Sequence, residues 1–244
     1  MNILVTGASS GIGKEVAKQL AQEGHTVWAL ARDGEVLQKL SQEFGDGKII
    51  THAVDVSKRE NIAQSIASAQ NKGIRFDAAI CAAGIFPDDI HPNFSMEQFT
   101  CTIATNLLGV MNVVDALLPN FLAQGKGTFI TIGSMAMYRG SARGAGYPAS
   151  KAALVAAMKS LDLRYKKSNV RFHTAILGPI ATSMWEGKIS VLTPPPSAAA
   201  RHIIAQLSTS SNISFFPKFT TTLYRLSLFV PDKLFVFLSE KLLK

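Results

Sequence analysis

An apolar run, Ile3-Leu4-Val5, ends in the turn Thr6-Gly7-Ala8-Ser9-Ser10-Gly11-Ile12-Gly13, and Ile12, Val16 and Leu20 then recur at every fourth residue. A short apolar run stopped by glycine reads as a buried strand, and a four-residue repeat puts its members on one face of a helix. The chain thus opens strand, loop, helix. Gly24 ends that helix, Thr26 to Ala31 reads as a second strand, and Val36, Leu37 and Leu40 mark a second helix. Two strands joined through a helix in this way make a right-handed βαβ crossover.

The alternation continues with a strand from Ile49 to Val54, a helix from about Lys58 to Gln70, a strand from Ala78 to Ala82 and a long helical stretch from Met96 to Leu122. A strand at Thr128 to Ile132, a helix from Tyr147 to about Lys166 and a strand from Val170 to Ile176 follow. This order predicts an α/β fold: a Rossmann-type, doubly wound sheet of at least six mostly parallel strands flanked by helices. With 244 residues and no internal repeat, the chain reads as one domain over 1–216, followed by an amphipathic helical extension over 217–244. An apolar content of 47% against 17% charged residues excludes a disordered chain.

Lys and Arg outnumber Asp and Glu, 25 to 17, for a formal net charge of +8, which suits a phosphorylated cofactor or another anionic partner. No basic run with interleaved aromatics and no zinc-finger spacing is present, so nucleic acid is not an expected partner. Cys81 and Cys101 are too few for a disulfide framework and fit free thiols in a reducing compartment. The first strand starts at Asn2, which leaves no space for a cleaved leader, so the expected location is cytoplasmic. His25, His52, His91, His173 and His202 show no metal-ligand spacing, and no metal site is expected.

Gly7, Gly11 and Gly13 would let a pyrophosphate approach the backbone, with the N-terminus of the following helix facing its charge. Ser9, Ser10 and Ile12 belong to the same cradle. A Walker A loop fails here, because Ala8 and Glu15 stand where that motif needs glycine and Ser or Thr. A purely structural glycine turn stays open on this motif alone. Tyr147 and Lys151 are four apart and share a helix face, so an ammonium can sit beside the phenol and favour its ionised form. Taken alone, Ser134 reads first as a strand-end turn serine and Asn106 as a mid-helix polar residue bonding locally. A serine hydrolase is disfavoured, since Ile132-Gly133-Ser134-Met135-Ala136 lacks the closing glycine of a nucleophile elbow.

Taken together, Thr6-Gly-x3-Gly-x-Gly13, Asp55, Cys81-Ala82-Ala83-Gly84, Asn106, Ser134, Tyr147-x3-Lys151 and Gly178-Pro179-Ile180-x-Thr182 resemble the short-chain dehydrogenase/reductase family, in its shorter single-domain branch, over about residues 1–205. The resemblance implies a dinucleotide-dependent oxidoreductase acting on a small-molecule carbonyl or alcohol. Tyr147 then takes the place of the general acid/base, and Lys151 that of the lysine that lowers the tyrosine pKa and binds the nicotinamide ribose. Ser134 corresponds to the serine that hydrogen-bonds the reacting oxygen, and Asn106 to the asparagine that holds a water linking the lysine to solvent. Asp55 and Val56 match the adenine contacts, Ala82, Ala83 and Gly84 the stretch beneath the adenosine, and Pro179, Ile180 and Thr182 the residues flanking the nicotinamide. Cys81-Ala82 departs from the family's common Asn-Asn pair, so side-chain hydrogen bonds there are missing.

Arg32 follows the second strand, and Ala31 stands where NAD enzymes tend to place an acid. A guanidinium at that place can bond a 2′-phosphate in a fork, which favours NADP, with NAD as the alternative. Asp33 beside it is the counter-signal unless it starts the following turn. Ser57-x-x-Glu60 reads as a capping box for the next helix. Met184, Trp185, Ile189, Val191 and Leu192 suit a lid over an apolar substrate or ordinary packing, and Phe86, Met135, Met137 and Tyr138 follow strand ends where clefts form.

After Phe216-Pro217 the family pattern is lost, which points away from the family's tetramer and toward a homodimer. Leu223, Leu226 and Val230 form one apolar stripe, and Leu234, Phe237, Leu238 and Leu242 a second beyond Pro231. Lys218, Arg225, Lys233, Lys241 and Lys244 against Asp232 and Glu240 make the extension basic, and its apolar run is too short to span a bilayer. Packing on the protein or a second subunit, peripheral membrane contact and a cover over the substrate channel all fit. A sensor or scaffold that keeps the cofactor pocket and docks by its tail is the competing class of function.

Overall fold

The computed structural model describes residues 1–45, 47–87, 94–141, 144–184 and 192–231. Seven strands form one sheet: β1 (Asn2–Thr6), β2 (Thr26–Ala31), β3 (Ile49–Ala53), β4 (Ala78–Cys81), β5 (Gly127–Ser134), β6 (Val170–Leu177) and β7 (Ile213–Phe216). Their order is β3-β2-β1-β4-β5-β6-β7, and every neighbouring pair is parallel. The chain therefore winds outward in one direction from β1 to β3, then returns to β4 and winds the other way. Above the carboxyl ends of β1 and β4 the connections diverge and leave a crevice, the place where ligands bind in such sheets.

Parallel strands are covered on both faces and so read as continuous apolar runs. Within β1 successive side chains alternate, Ile3 and Val5 joining one core and Leu4 the other. The first core packs β1 and β2 against α1 (Gly11–Gln22), α2 (Gly34–Gln42) and α7 (Pro196–Ala205), through Val16, Leu20, Leu37 and Ile203. The second packs the opposite face against α3 (Arg59–Asn71), α5 (Gly109–Gln124) and α6 (Gly146–Tyr165), around Trp28, Phe121, Phe129 and Phe172. Trp28 stacks on His52 and donates its indole N–H to Ser65 Oγ at 3.0 Å, so this large side chain is buried with its donor satisfied.

The long helical stretch is interrupted: α4 (Met96–Ile103) passes through a π-turn, Ala104–Leu108, into α5. Met96–Gln124 is apolar and long enough to cross a membrane, yet Val113, Leu117 and Phe121 are fully buried against the sheet. At the far edge, β7 and α8 (Lys218–Ser227) extend the fold beyond the sequence expectation of at least six strands. β7 is tied in by a relay in which His173 Nδ1 lies 2.6 Å from the Ser211 carbonyl, and His173 Nε2 and His202 Nε2 each lie 2.9 Å from Ser214 Oγ. A carbonyl only accepts, so Nδ1 carries the His173 proton, Ser214 donates to His173 Nε2 and His202 donates to Ser214. Neutral imidazoles satisfy every partner in that order.

The expected capping box at α3 is corrected: the Ser57 hydroxyl donates to Asp55 Oδ1 at 2.8 Å, and the helix starts after Lys58 without a side-chain cap. The second apolar stripe of the extension, Leu234 to Leu242, lies outside the described residues, as do Trp185, Ile189, Val191 and His91.

Candidate functional site

The crevice is a cavity of about 790 Å³ running from the glycine turn to α8. Gly7, Ser9, Ser10, Gly11, Ile12 and Gly13 form one end. Gly7 adopts φ +70°, where a Cβ would also sit 2.7 Å from the Ala83 nitrogen, and a Cβ on Gly13 would overlap the Gly7 carbonyl oxygen. The turn closes this tightly only with glycine. Ser10, at the N-cap of α1, is extended and makes no side-chain cap bond, and the first turn of the helix carries no acid. Its leading N–H groups thus face the cavity as an anion site, which fits the pyrophosphate of a dinucleotide.

Arg32, Asp55 and Val56 line the next stretch. Asp33 does not compete for that position, because its carboxylate accepts the Val36 N–H at 3.0 Å and caps α2. Asp55 accepts from both the backbone and the hydroxyl of Ser57. Burial pushes the Asp55 carboxyl up, but those two hydrogen bonds and the charges of Arg32 and Lys58 hold it below its ordinary value. Ala82, Ala83 and Gly84 follow, with the Ala83 N–H held by Thr6 Oγ1 at 3.1 Å.

At the other end stand Ser134, Tyr147 and Lys151, with Pro179, Ile180 and Thr182 across from them. β5 ends at Ser134, whose Oγ accepts from the Ala136 N–H at 3.2 Å and hydrogen-bonds Tyr147. Tyr147 opens α6 and packs on Phe86, ring centroids 4.6 Å apart. One turn on, Lys151 is buried and donates from Nζ to the Ile132 carbonyl at 2.8 Å. Burial lowers its ammonium to about 8, which leaves it mostly charged at neutral pH.

The expected depression of the Tyr147 pKa is corrected. Burial pushes the phenol above its ordinary value, and the bond with Ser134 offsets only part of that. The Lys151 nitrogen lies 5.6 Å from the ring centroid and gives one of its three donors to a carbonyl, and its charge does not offset the desolvation of the phenol. At neutral pH Tyr147 is therefore the protonated phenol.

Asn106 alone among the expected site residues lies outside the cavity lining. It is fully buried in the π-turn, where its amide accepts from Ile85 N–H at 2.8 Å and donates to the Ile85 carbonyl and to Ser150 Oγ. Asn106 thereby staples the loop after β4 to α6, the helix that carries Tyr147 and Lys151. A Cβ on Gly84 would stand 3.3 Å from Asn106 Oδ1 and 3.8 Å from Lys151 Nζ, so these groups converge on a glycine. Insertions of this kind in a helix re-aim one residue and cluster at functional sites.

Met137 and Tyr138 are not in the lining, whereas Phe86, Met135 and Met184 are, so only part of the expected apolar wall is present. Arg139, Thr220 and Tyr224 line the cavity without having been singled out in the sequence. Arg139 lies just beyond a strand end, which is the signal that could have found it; Thr220 and Tyr224 belong to a helix past the family motifs.

A model of the short chain dehydrogenase family matches residues 1–190. The chain belongs to that family. A 3-oxoacyl-[acyl-carrier-protein] reductase of Thermotoga maritima is 31% identical over 185 residues, covering 75% of each chain. An NADPH-dependent 1-acyldihydroxyacetone phosphate reductase of Saccharomyces cerevisiae is 36% identical over 186 residues, covering 74% of this chain and 61% of that one. Among solved structures, a serine dehydrogenase complexed with NADP+ superposes with a TM-score of 0.80 at 25% identity, over 88% of this chain and 94% of that one. This short-chain dehydrogenase is thus an NAD(P)-dependent oxidoreductase with a Rossmann-type fold.

Proposed function

We propose that the enzyme uses NADP(H) to interconvert a carbonyl and a secondary alcohol on an apolar substrate, with Tyr147 as general acid/base. The observation that carries this reading is the geometry: the Tyr147 hydroxyl, bonded to Ser134, lies in the cavity lining one helical turn from the buried Lys151 ammonium. When bound, the cofactor supplies the hydride. Ser134 and Tyr147 hold the carbonyl oxygen, and Tyr147 gives it the proton that balances the new C–H bond. Lys151 stays charged below about pH 8 and steadies the negative charge left on the phenol oxygen.

Three features support NADP over NAD: Arg32 in the lining, Ala31 in place of an acid, and the engagement of Asp33 as a helix cap. Gly7, Gly11, Gly13 and the uncapped α1 would hold the pyrophosphate. Asp55, Val56, Ala82, Ala83 and Gly84 would flank the adenosine, and Pro179, Ile180 and Thr182 the nicotinamide. Asn106 acts through the loop it fixes. Phe86, Met135 and Met184 support an apolar substrate, in line with the acyl-group reductases named among the relatives. Cys81 and Cys101 are free thiols, which supports a reducing, cytoplasmic setting.

The test follows NADPH and NADH oxidation against ketones and aldehydes of graded chain length. Faster use of NADPH, rising with chain length, is expected. Consumption of neither coenzyme with any of these carbonyls would overturn the reading.

A further inference from the structure

α8 has two unlike faces. On the inner one, Thr221 is fully buried and donates to the Pro217 carbonyl at 2.7 Å, while Thr220 and Tyr224 line the cavity. The end of the helix is fastened by Arg139, whose Nη2 donates to the carbonyls of Ser227 and Val230 at 2.8 and 2.9 Å. Burial pushes the Tyr224 phenol above its ordinary value, as expected of a residue facing an enclosed space. The helix is thus a wall of the candidate active site.

The outer face is apolar and bare among the described residues. Phe219, Leu223 and Leu226 are 67%, 59% and 59% exposed, and Phe229 just beyond them is 87% exposed. At 100° per residue the first three fall on one stripe, with Lys218 and Arg225, seven apart, together on its flank. No acid occurs between Pro217 and Pro231. None of the described residues packs over this stripe.

A second copy of the chain is a poor occupant. A ten-residue helix is about 15 Å long and about 10 Å wide, far short of the roughly 800 Å² per partner that a stable interface buries. A lipid surface needs no such area, only an apolar face with cations beside it. We propose that the outer face of α8 lies in the interface of an anionic bilayer, so that the enzyme takes its apolar carbonyl substrate from the membrane. The substrate part rests on the activity proposed above; the docking part does not.

The test is cosedimentation of the full-length enzyme with vesicles of phosphatidylcholine alone or with about 30% phosphatidylglycerol, for wild type and Leu223→Glu/Leu226→Glu. The wild type is expected to bind the anionic vesicles roughly tenfold or more above the neutral ones, since each nearby cation contributes about fivefold. Raising NaCl to about 0.5 M should weaken that binding. The double variant should stay in the supernatant, keep its melting temperature and lose turnover of a long-chain ketone carried in the vesicles. It should keep NADPH oxidation with a short soluble ketone. Equal sedimentation of both proteins, or none, would overturn the proposal. So would a smaller particle or a lower melting temperature for the variant without lipid, because another copy or the chain's own last residues would then cover the stripe. Failure with the short ketone in the wild type would count against the activity and leave the docking result standing.

Discussion

Lys151→Met should make the protein more stable while removing its activity. Burial lowers the Lys151 ammonium from 10.5 to about 8, which corresponds to about 3 kcal/mol of destabilisation carried by the folded chain at pH 7. Methionine has nearly the same length and no charge to desolvate. The substitution also removes the bond to the Ile132 carbonyl, a loss of about 1–2 kcal/mol, tempered because Ile132 lines the cavity where water can reach it. The net gain is about 1–2 kcal/mol, or a rise in Tm of about 3–6 °C for a chain of this size. The sign of its pH dependence follows from the lowered pKa. Below about pH 8 both folded and unfolded wild type carry the proton and the cost is constant. From about pH 8 to 10.5 the unfolded chain holds a proton that the folded chain lacks, so wild type gains stability as pH rises. The advantage of the variant should therefore shrink to about nothing near pH 9.5. Thermal unfolding by circular dichroism without coenzyme at pH 7 and pH 9.5, beside NADPH turnover, measures both sides. A variant that melts at or below wild type at pH 7 would show that the buried charge is not the cost assigned to it.

Other changes have equally definite outcomes. Arg32→Ala should raise the KM for NADPH about 10- to 100-fold, the worth of a charged hydrogen bond, and leave that for NADH within about twofold; equal effects on the two coenzymes would contradict the role given to the guanidinium. Gly13→Ala should abolish the rise in melting temperature that NADPH gives the wild type, because the new methyl displaces the Gly7 carbonyl. Burial lowers the pKa of both His173 and His202, so they are neutral when folded and take up protons on unfolding as pH drops below 6.5. Stability should fall over that window, and His173→Gln/His202→Gln should flatten the slope seen in urea titrations between about pH 7 and 5.

The strand and helix order from Asn2 to Leu177 was legible because both cores obey simple periodicities, as in Ile3, Leu4 and Val5 or Val16 and Leu20. The residues of the cavity were legible for a related reason: Gly7, Gly13 and Gly84 are demanded by close approach of backbone or buried side chains, which no larger residue allows. What the spacing of Tyr147 and Lys151 could not convey was burial, and burial reverses the direction of the phenol pKa. Ser57 illustrates the same limit at short range, since its hydroxyl had both a helix end and Asp55 within reach. β7, with its four residues and mixed Ile-Ser-Phe-Phe pattern, carries no periodic signal of its own; β6, His173 and His202 fix it in place. The apolar stripe of α8 was readable, but a stripe usually points inward, and here Thr221, Tyr224 and Arg139 turn the other face to the protein.

The central claim is proton delivery by Tyr147 to the substrate oxygen, and single-turnover oxidation of enzyme-bound NADPH by a saturating ketone tests it most directly. Tyr147→Phe keeps the ring and its contact with Phe86 and removes the hydroxyl, and with it the proton and the bond with Ser134. The account predicts unchanged NADPH binding and a rate of hydride loss reduced about 10²- to 10⁴-fold. A rate within about twofold of wild type, with binding intact, would contradict it.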